Sequence, residues 1–286
     1  MKKSKKILSA AVAILVMSSA LFLTSCKKAS EKQSIEQIKE AGVITVYTNA
    51  EFPPFEYMSD NKPVGVDMQI AQAIADEIGV KLEIKNVKFD TILSSVNSGK
   101  GSMGIAGISV TDERKQEVDF SIDYATSKQY IILQKDSEVA KIEDLAGMKI
   151  GVQLGTTGDI IISEEINGTE DEKTKEHIKG VLEGSGASVT QYNSAADAAV
   201  AMNSGKVDAV VIDKLPAEIV ASQYENFKAI ELVYADGSNT EESYAVCVAK
   251  GNQELLELVN KVIEKLNKDG TIDQWIVDHT TKSSAS

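Results

Sequence analysis

Residues 104–121 read GIAGISVTDERKQEVDFS, and the rest of the chain is organised around them. A short apolar strand, 105–108, runs out into glycine and hydroxyl residues, and Thr111, Asp112 and Glu113 then open a helical turn that carries Arg114. This pattern suits an anion. A guanidinium presents five donors in a planar fork matched to a carboxylate, and Ser109 with the free N–H groups at a helix start can add donors to the same anion. Spacing alone also allows a plainer reading, a capped turn whose Arg114 sits on the surface and pairs with Glu113 or Glu117.

On either side of this stretch, strand and helix signals alternate. Residues 43–47 form an apolar strand, 66–78 carry Val66, Ile70, Ala73, Ile74 and Ile78 at helical spacing with Gly79 as C-cap, and 81–87 alternate as a strand. A helix over 89–96, closed by Asn97, Ser98 and Gly99, leads into the strand 102–108. A second unit of the same kind follows, with strands at 130–133, 149–152, 189–192, 209–212, 229–234 and 244–249. Its helices are a short one at 142–145, one from the Gly155-Thr156-Thr157-Gly158 turn to about 166, one capped by Ser194, and one at 215–222 with Pro216 in its first turn. Residues 167–182 read as a polar stretch and an amphipathic turn. An amphipathic helix over 253–266 and a short helix around Trp275 end the chain. Two βαβ assemblies predict α/β lobes with parallel sheets, and open sheets of this kind leave a crevice at the carboxyl ends of their strands.

The segment AGISVTDERKQEVDFS resembles a signature of the extracellular solute-binding proteins (family 3) that serve polar amino acid ABC importers. Three more segments match in order: TNAEFPPFEY at 48–57, GVDMQIAQAIA at 65–75 and VDAVVIDKLPAEIV at 207–220. The resemblance covers 42–275 and implies a two-lobe, type II periplasmic-binding-protein-like fold with the ligand between the lobes. It places the crossings near 124–128 and 240–244, so that lobe 1 is 40–126 plus 244–282 and lobe 2 is 127–243. It also implies a free amino acid as ligand, ABC permease subunits as partners, no cofactor and a monomer.

Composition narrows the partners. The 286 residues include 43 acids and 30 bases, and the first 25 residues hold four of those bases, Lys2, Lys3, Lys5 and Lys6, and no acid, so a whole-chain charge of −13 becomes about −17 past residue 25. Such a surface repels nucleic acid and anionic lipid. The four lysines, an apolar run over 7–23 and the small residues before Cys26 read as a secretory segment. Leu23-Thr24-Ser25-Cys26 resembles a bacterial lipobox, which implies cleavage after residue 25 and lipidation of Cys26, with 26–39 as a tether that turns helical before lobe 1 begins. Cys247, in an apolar run, then has no disulfide partner and reads as a buried hydrophobe, while His177 and His279 read as solvated, with no metal site in view.

The site follows from the ligand's chemistry. An α-amino acid carries a carboxylate and an ammonium on one carbon, and both need partners at fixed separation. Arg114, beside Ser109 and Thr111, answers the carboxylate, and the resemblance adds the turn containing Gln153, Thr156 and Thr157. Asp213 ends an apolar strand where an acid has no core role, so it caps the helix after it, or holds the ammonium as the resemblance implies, or does both with one oxygen each, and the Gly107 carbonyl is a second acceptor for the ammonium. Phe52 and Phe89 match the aromatics that sandwich the ligand's side chain, whereas Phe55 belongs to the core. Asn49 and Glu51 stand where family members reach that side chain's end, and Gln153 and Ile212 replace basic residues of some glutamine-type members. Together these favour a polar or cationic amino acid. Two other classes share the scaffold, dehydratases of prephenate or arogenate and extracellular sensor domains. The first would need a general acid in the cleft, for which Glu51 is the one unassigned carboxylate.

Overall fold

In the computed structural model, which describes residues 32–171 and 173–284, the local signals form the elements they announce. The helix Val66–Ile78 ends on Gly79 in the left-handed region, whose N–H returns to the carbonyls of Ala75 and Asp76. Ser194 accepts from the Asp197 N–H and starts the helix Ala195–Asn203, and Thr111 does the same for Asp112–Glu117 through the Arg114 N–H. The apolar run 7–23 and Cys26 lie outside the described residues.

These elements build two five-stranded sheets of the same plan. In the first, Lys81–Asn86, Val43–Thr48 and Met103–Gly104 run parallel, and Cys247–Ala249 then pairs antiparallel between Met103–Gly104 and Val118–Phe120. In the second, Ser188–Tyr192, Lys149–Gln153 and Ala209–Asp213 run parallel, and Gln129–Gln134 pairs antiparallel between Ala209–Asp213 and Phe227–Glu231. The sheets are therefore mixed rather than wholly parallel, because each receives strands from a chain that crosses between them. An antiparallel ribbon, Ala125–Ser127 against Glu242–Tyr244, carries both crossings side by side.

The central strand Ala209–Asp213 is buried along its whole length, as a strand covered by helices on both faces must be. Each fully buried Ile or Val adds roughly 1.5–3 kcal/mol of transfer free energy. One apolar cluster runs from Ile44, Val46 and Ile70 under the first sheet, through Phe52, Phe55, Tyr124 and Tyr244, to Val210, Ile212 and Ala217 of the second. The final helix Thr271–Ser284 packs on both Val66–Ile78 and Lys214–Ser222.

Four expectations change. The strand expected over 102–108 is ordered as a ladder only at Met103–Gly104, because the backbone turns out of the sheet at Gly107, φ +53°. The strand expected over 244–249 divides between the crossing ribbon and the first sheet. The stretch 167–182 contains a small hairpin, Thr169–Glu170 against His177–Ile178. His279, expected in solvent, is buried and bridges two partners, Tyr57 Oη at 2.9 Å and Gln69 Oε1 at 3.0 Å, and its burial lowers its pKa. His177 is exposed as expected. The tether's helical end, Ile35–Ala41, is docked rather than free: Ile38 is buried, and Asn252 donates to the Gln33 carbonyl at 3.0 Å.

Candidate functional site between the two sheets

Arg114 points inward from its short helix and is 7% exposed. Its Nη1 donates to the Ser109 carbonyl at 2.8 Å and its Nη2 to the Gly155 carbonyl at 3.0 Å, so one side chain ties the first sheet's half to the second's. The guanidinium carbon lies 5.6 Å from the centre of the Phe89 ring, within cation–π range. Among the described residues no carboxylate comes within ion-pair distance of it, which removes the reading of a surface arginine paired with Glu113 or Glu117. Burial lowers its pKa, while Glu242 and Asp213 act the other way. A guanidinium titrates so high that it stays charged regardless.

Facing it is the turn after Lys149–Gln153. Gly155 adopts φ +79° and lies so close to Asp90 of the other half that a Cβ there would stand 3.3 Å from the Asp90 Cβ. Asp159 fixes the turn by accepting from the Gly155 N–H at 2.9 Å and from Gln191 Nε2 at 2.9 Å. The two threonines then separate in role. Thr156 spends its hydroxyl on its own turn, donating to the Gln153 carbonyl at 2.8 Å while capping the helix Thr157–Asn167. Thr157 turns its hydroxyl into the cleft and donates to Ser109 Oγ at 2.9 Å. Gln153 reaches across to Asn49, Nε2 to Oδ1 at 2.9 Å, while Asn49 Nδ2 holds the Val87 carbonyl at 2.8 Å. Gln153 Oε1 is buried without a partner.

Asp213 ends the strand Ala209–Asp213, 3% exposed, at the head of Lys214–Ser222, and its side chain makes no capping hydrogen bond. The cap alternative therefore fails. One carboxylate oxygen accepts from the Tyr244 hydroxyl at 2.5 Å. Burial, then the adjacent Glu242, raises its pKa well above the usual carboxylate range. Glu242 was not singled out by the sequence. It accepts from Gln129 Nε2 at 2.6 Å and from the Ser109 hydroxyl. The signal was present: Glu242 lies two residues before Tyr244 in the crossing segment, and the period of two along a strand puts both side chains on one face.

The aromatic wall comes from the other half. Phe52 is 6% exposed, with its ring 6.2 Å from Tyr244, edge to face, and 6.0 Å from Phe55. Phe55 is fully buried, in the core as expected. At Gly107 a Cβ would stand 2.6 Å from the Phe52 ring, so only glycine fits under it. The Gly107 N–H is held by Asp67 Oδ2 at 2.9 Å, and Tyr124 donates to the same oxygen at 2.9 Å. Glu51 alone among the expected residues stands exposed at the rim. The structure thus gathers Asn49, Phe52, Phe89, Gly107, Ser109, Arg114, Gln153, Thr157 and Asp213 where the halves meet. Among the described residues no group of three or more His, Cys, Asp or Glu could hold a metal ion.

Two α/β lobes joined by a two-stranded ribbon, meeting around a buried arginine and buried carboxylates, define a two-lobe binding protein of the periplasmic type. Residues 44–280 match the bacterial extracellular solute-binding proteins, family 3, and the chain belongs to that family. It is a solute-binding protein and not an enzyme. It is 28% identical over 265 residues to the L-cystine-binding protein TcyJ of Escherichia coli, covering 90% of this chain and 91% of that one. It is 27% identical over 227 residues to the arginine-binding extracellular protein ArtP of Bacillus subtilis, covering 79% and 82%. Among solved structures, the amino acid ABC transporter substrate-binding protein AbpA from Streptococcus pneumoniae, bound to L-arginine, superposes with a TM-score of 0.74 at 32% identity, covering 88% of this chain and 99% of that one.

Proposed function

We propose that the protein is the receptor of an ABC importer for a free amino acid, polar or cationic, which it encloses between lobe 1 (40–126 plus 244–282) and lobe 2 (127–243). The observation that carries this reading is the pairing of a buried arginine and a buried aspartate on opposite lobes, Arg114 and Asp213, each without an ion-pair partner among the described residues. An α-amino acid brings one charge to each. In this assignment Arg114, Ser109, Thr157 and the turn from Gln153 through Thr156 take the carboxylate. With the Thr156 hydroxyl spent on its cap, the donors there are the Thr157 hydroxyl and the open N–H groups at the helix head. Asp213 and the Gly107 carbonyl take the ammonium, Phe52 and Phe89 flank the side chain, and Asn49 and Glu51 read its end.

A ligand that bridges both lobes binds the closed form in preference to the open one, and that difference in affinity drives closure. The closed protein then docks on a permease, as a monomer held to the outer face of the membrane by lipid on Cys26. Relatives named for arginine and for cystine support a polar or cationic ligand. Thermal unfolding against the twenty common amino acids plus ornithine, citrulline and cystine tests the reading. A ligand at about a thousand times its Kd adds about 4 kcal/mol and raises the midpoint by several degrees. If none raises it, including in protein unfolded and refolded to strip carried ligand, the reading is overturned.

A further inference from the structure

Two carboxylates meet at the ammonium end of the cleft, and nothing on the protein neutralises both. Asp213, from the second sheet, lies opposite Gln129 in the strand register, Gln129 Nε2 donates to Glu242 of the crossing ribbon at 2.6 Å, and Tyr244, two residues after Glu242, donates to Asp213, so one set of donors draws both acids together. Burial, then the nearby Glu242, raises the pKa of Asp213 well above the usual carboxylate range, so Asp213 keeps a proton that an exposed carboxyl would lose. Three neutral donors surround the pair: the Tyr244 hydroxyl on Asp213, and Gln129 Nε2 and the Ser109 hydroxyl on Glu242. Gln129 is fully buried, and the other atom of its amide, Oε1, has no donor.

The charged groups facing the pair deepen the imbalance. Arg114, from the helix Asp112–Glu117, is close enough for both carboxylates to act on it, but it has committed donors to the Ser109 and Gly155 carbonyls. Glu56, from the strand Glu56–Ser59, adds an acid that acts on Asp213, and Tyr244 is itself titratable, with its pKa raised by burial and by the pair. Beneath these, Asp67 and Tyr124 complete an acidic floor without a lysine. A site meant for a neutral group has no use for two buried carboxylates gathered on one set of donors.

We propose that Glu242 joins Asp213 in a two-carboxylate socket for the ligand's cationic nitrogen, and that seating a cation there releases the proton held on Asp213 to solvent. This rests on the amino acid reading above and adds to it a residue and a proton balance. The exchange is one N–H⋯O⁻ cation in and one H⁺ out, with no bond made or broken in the ligand. It follows by linkage that affinity weakens as pH falls below the raised pKa of Asp213, by up to tenfold per pH unit, and levels off above it.

Calorimetry at neutral pH with L-arginine and L-glutamine as probes, each in phosphate and in Tris, tests this, because the two buffers differ in the heat of taking up a released proton. The expected result is a binding enthalpy that differs between buffers by close to one proton per bound probe. Glu242→Gln should bring the release close to zero and weaken binding by about tenfold or more. A probe that binds with the same enthalpy in both buffers and with pH-independent affinity between pH 5 and 8 overturns the socket and leaves the amino acid reading standing. Failure of both probes, and of every amino acid in the thermal screen, overturns both. The pH series on the unsubstituted protein decides the matter even if the Glu242→Gln variant does not fold.

Discussion

Glu56→Gln should make the protein more stable above neutral pH and flatten the dependence of its stability on pH. Glu56 and Asp67 are both fully buried, and each acts on the other's titration. Asp67 Oδ2 has donors from Gly107 and Tyr124, but Asp67 Oδ1 and both oxygens of Glu56 have none. A proton shared by the two carboxyls is the one remaining way to join them. Burial raises both pKa values: Asp67 rises from 3.8 to about 6, and Glu56 rises well above its ordinary range with Asp67 and Asp213 adding to the effect. The unfolded chain gives up these protons at lower pH than the folded one, so the contribution to stability falls as pH rises from the ordinary carboxyl range through the folded pKa. At about 1.36 kcal/mol per pH unit, the Asp67 change corresponds to about 3 kcal/mol, in full above pH ~6, and it stays in the variant; what the substitution removes is the Glu56 change, which runs in the same direction and is no smaller. A glutamine amide donates to Asp67 permanently, at the cost of a second N–H that needs an acceptor, so the gain at pH 8 is set lower, at about 2 kcal/mol. For a chain of this size that is a midpoint rise of about 4–8 °C. Urea unfolding followed by circular dichroism at pH 4.5, 6 and 8 measures it. The variant should match the parent at the lowest pH and exceed it increasingly above. A constant difference across the series, or a variant equally weakened at every pH, would refute the shared proton.

Other perturbations read the cleft directly. Arg114→Ala should weaken amino acid binding by more than a hundredfold, about 3–5 kcal/mol, because the ligand's carboxylate is then buried without its cation; calorimetry showing less than a tenfold loss would sink the assignment. Gly107→Ala forces a side chain to φ +53° and to within 2.6 Å of the Phe52 ring, so it should cost about 1–3 kcal/mol of stability and also displace the aromatic wall. A lower melting midpoint together with weaker binding is the expected pair of results. The Cys247 thiol, fully buried with its pKa pushed up to about 12, should resist a thiol reagent at pH 8 until the protein unfolds; labelling at the rate of a free thiol in the folded protein would contradict its burial.

Much of the architecture was legible locally. The helix Val66–Ile78 stands at its expected limits because its apolar spacing and its glycine cap are set within a few residues. Thr111 and Ser194 cap where expected for the same reason. Arg114, Asp213, Phe52 and Phe89 were legible only because whole segments resembled a family; by spacing alone Arg114 could have been a surface residue and Asp213 a helix cap.

What the sequence determined by itself, then, is what neighbours along the chain decide: the alternation of strands and helices, their caps, and the acidic balance of the chain. What the tertiary structure decided is the fate of polar side chains whose partners are distant in sequence. Glu242 meets Gln129 and Ser109 more than a hundred residues away, and Glu56 meets Asp67 only after the strand and helix have packed. His279, charged-looking in an acidic helix, is buried because Tyr57 and Gln69 come to it. The direction of Cys247–Ala249 and of Gln129–Gln134 in their sheets was likewise fixed by the double crossing between lobes. A strand's periodicity records which face is apolar but not which neighbour it will pair with, and a carboxylate's letter does not record whether the fold will leave it in water or seal it against another acid.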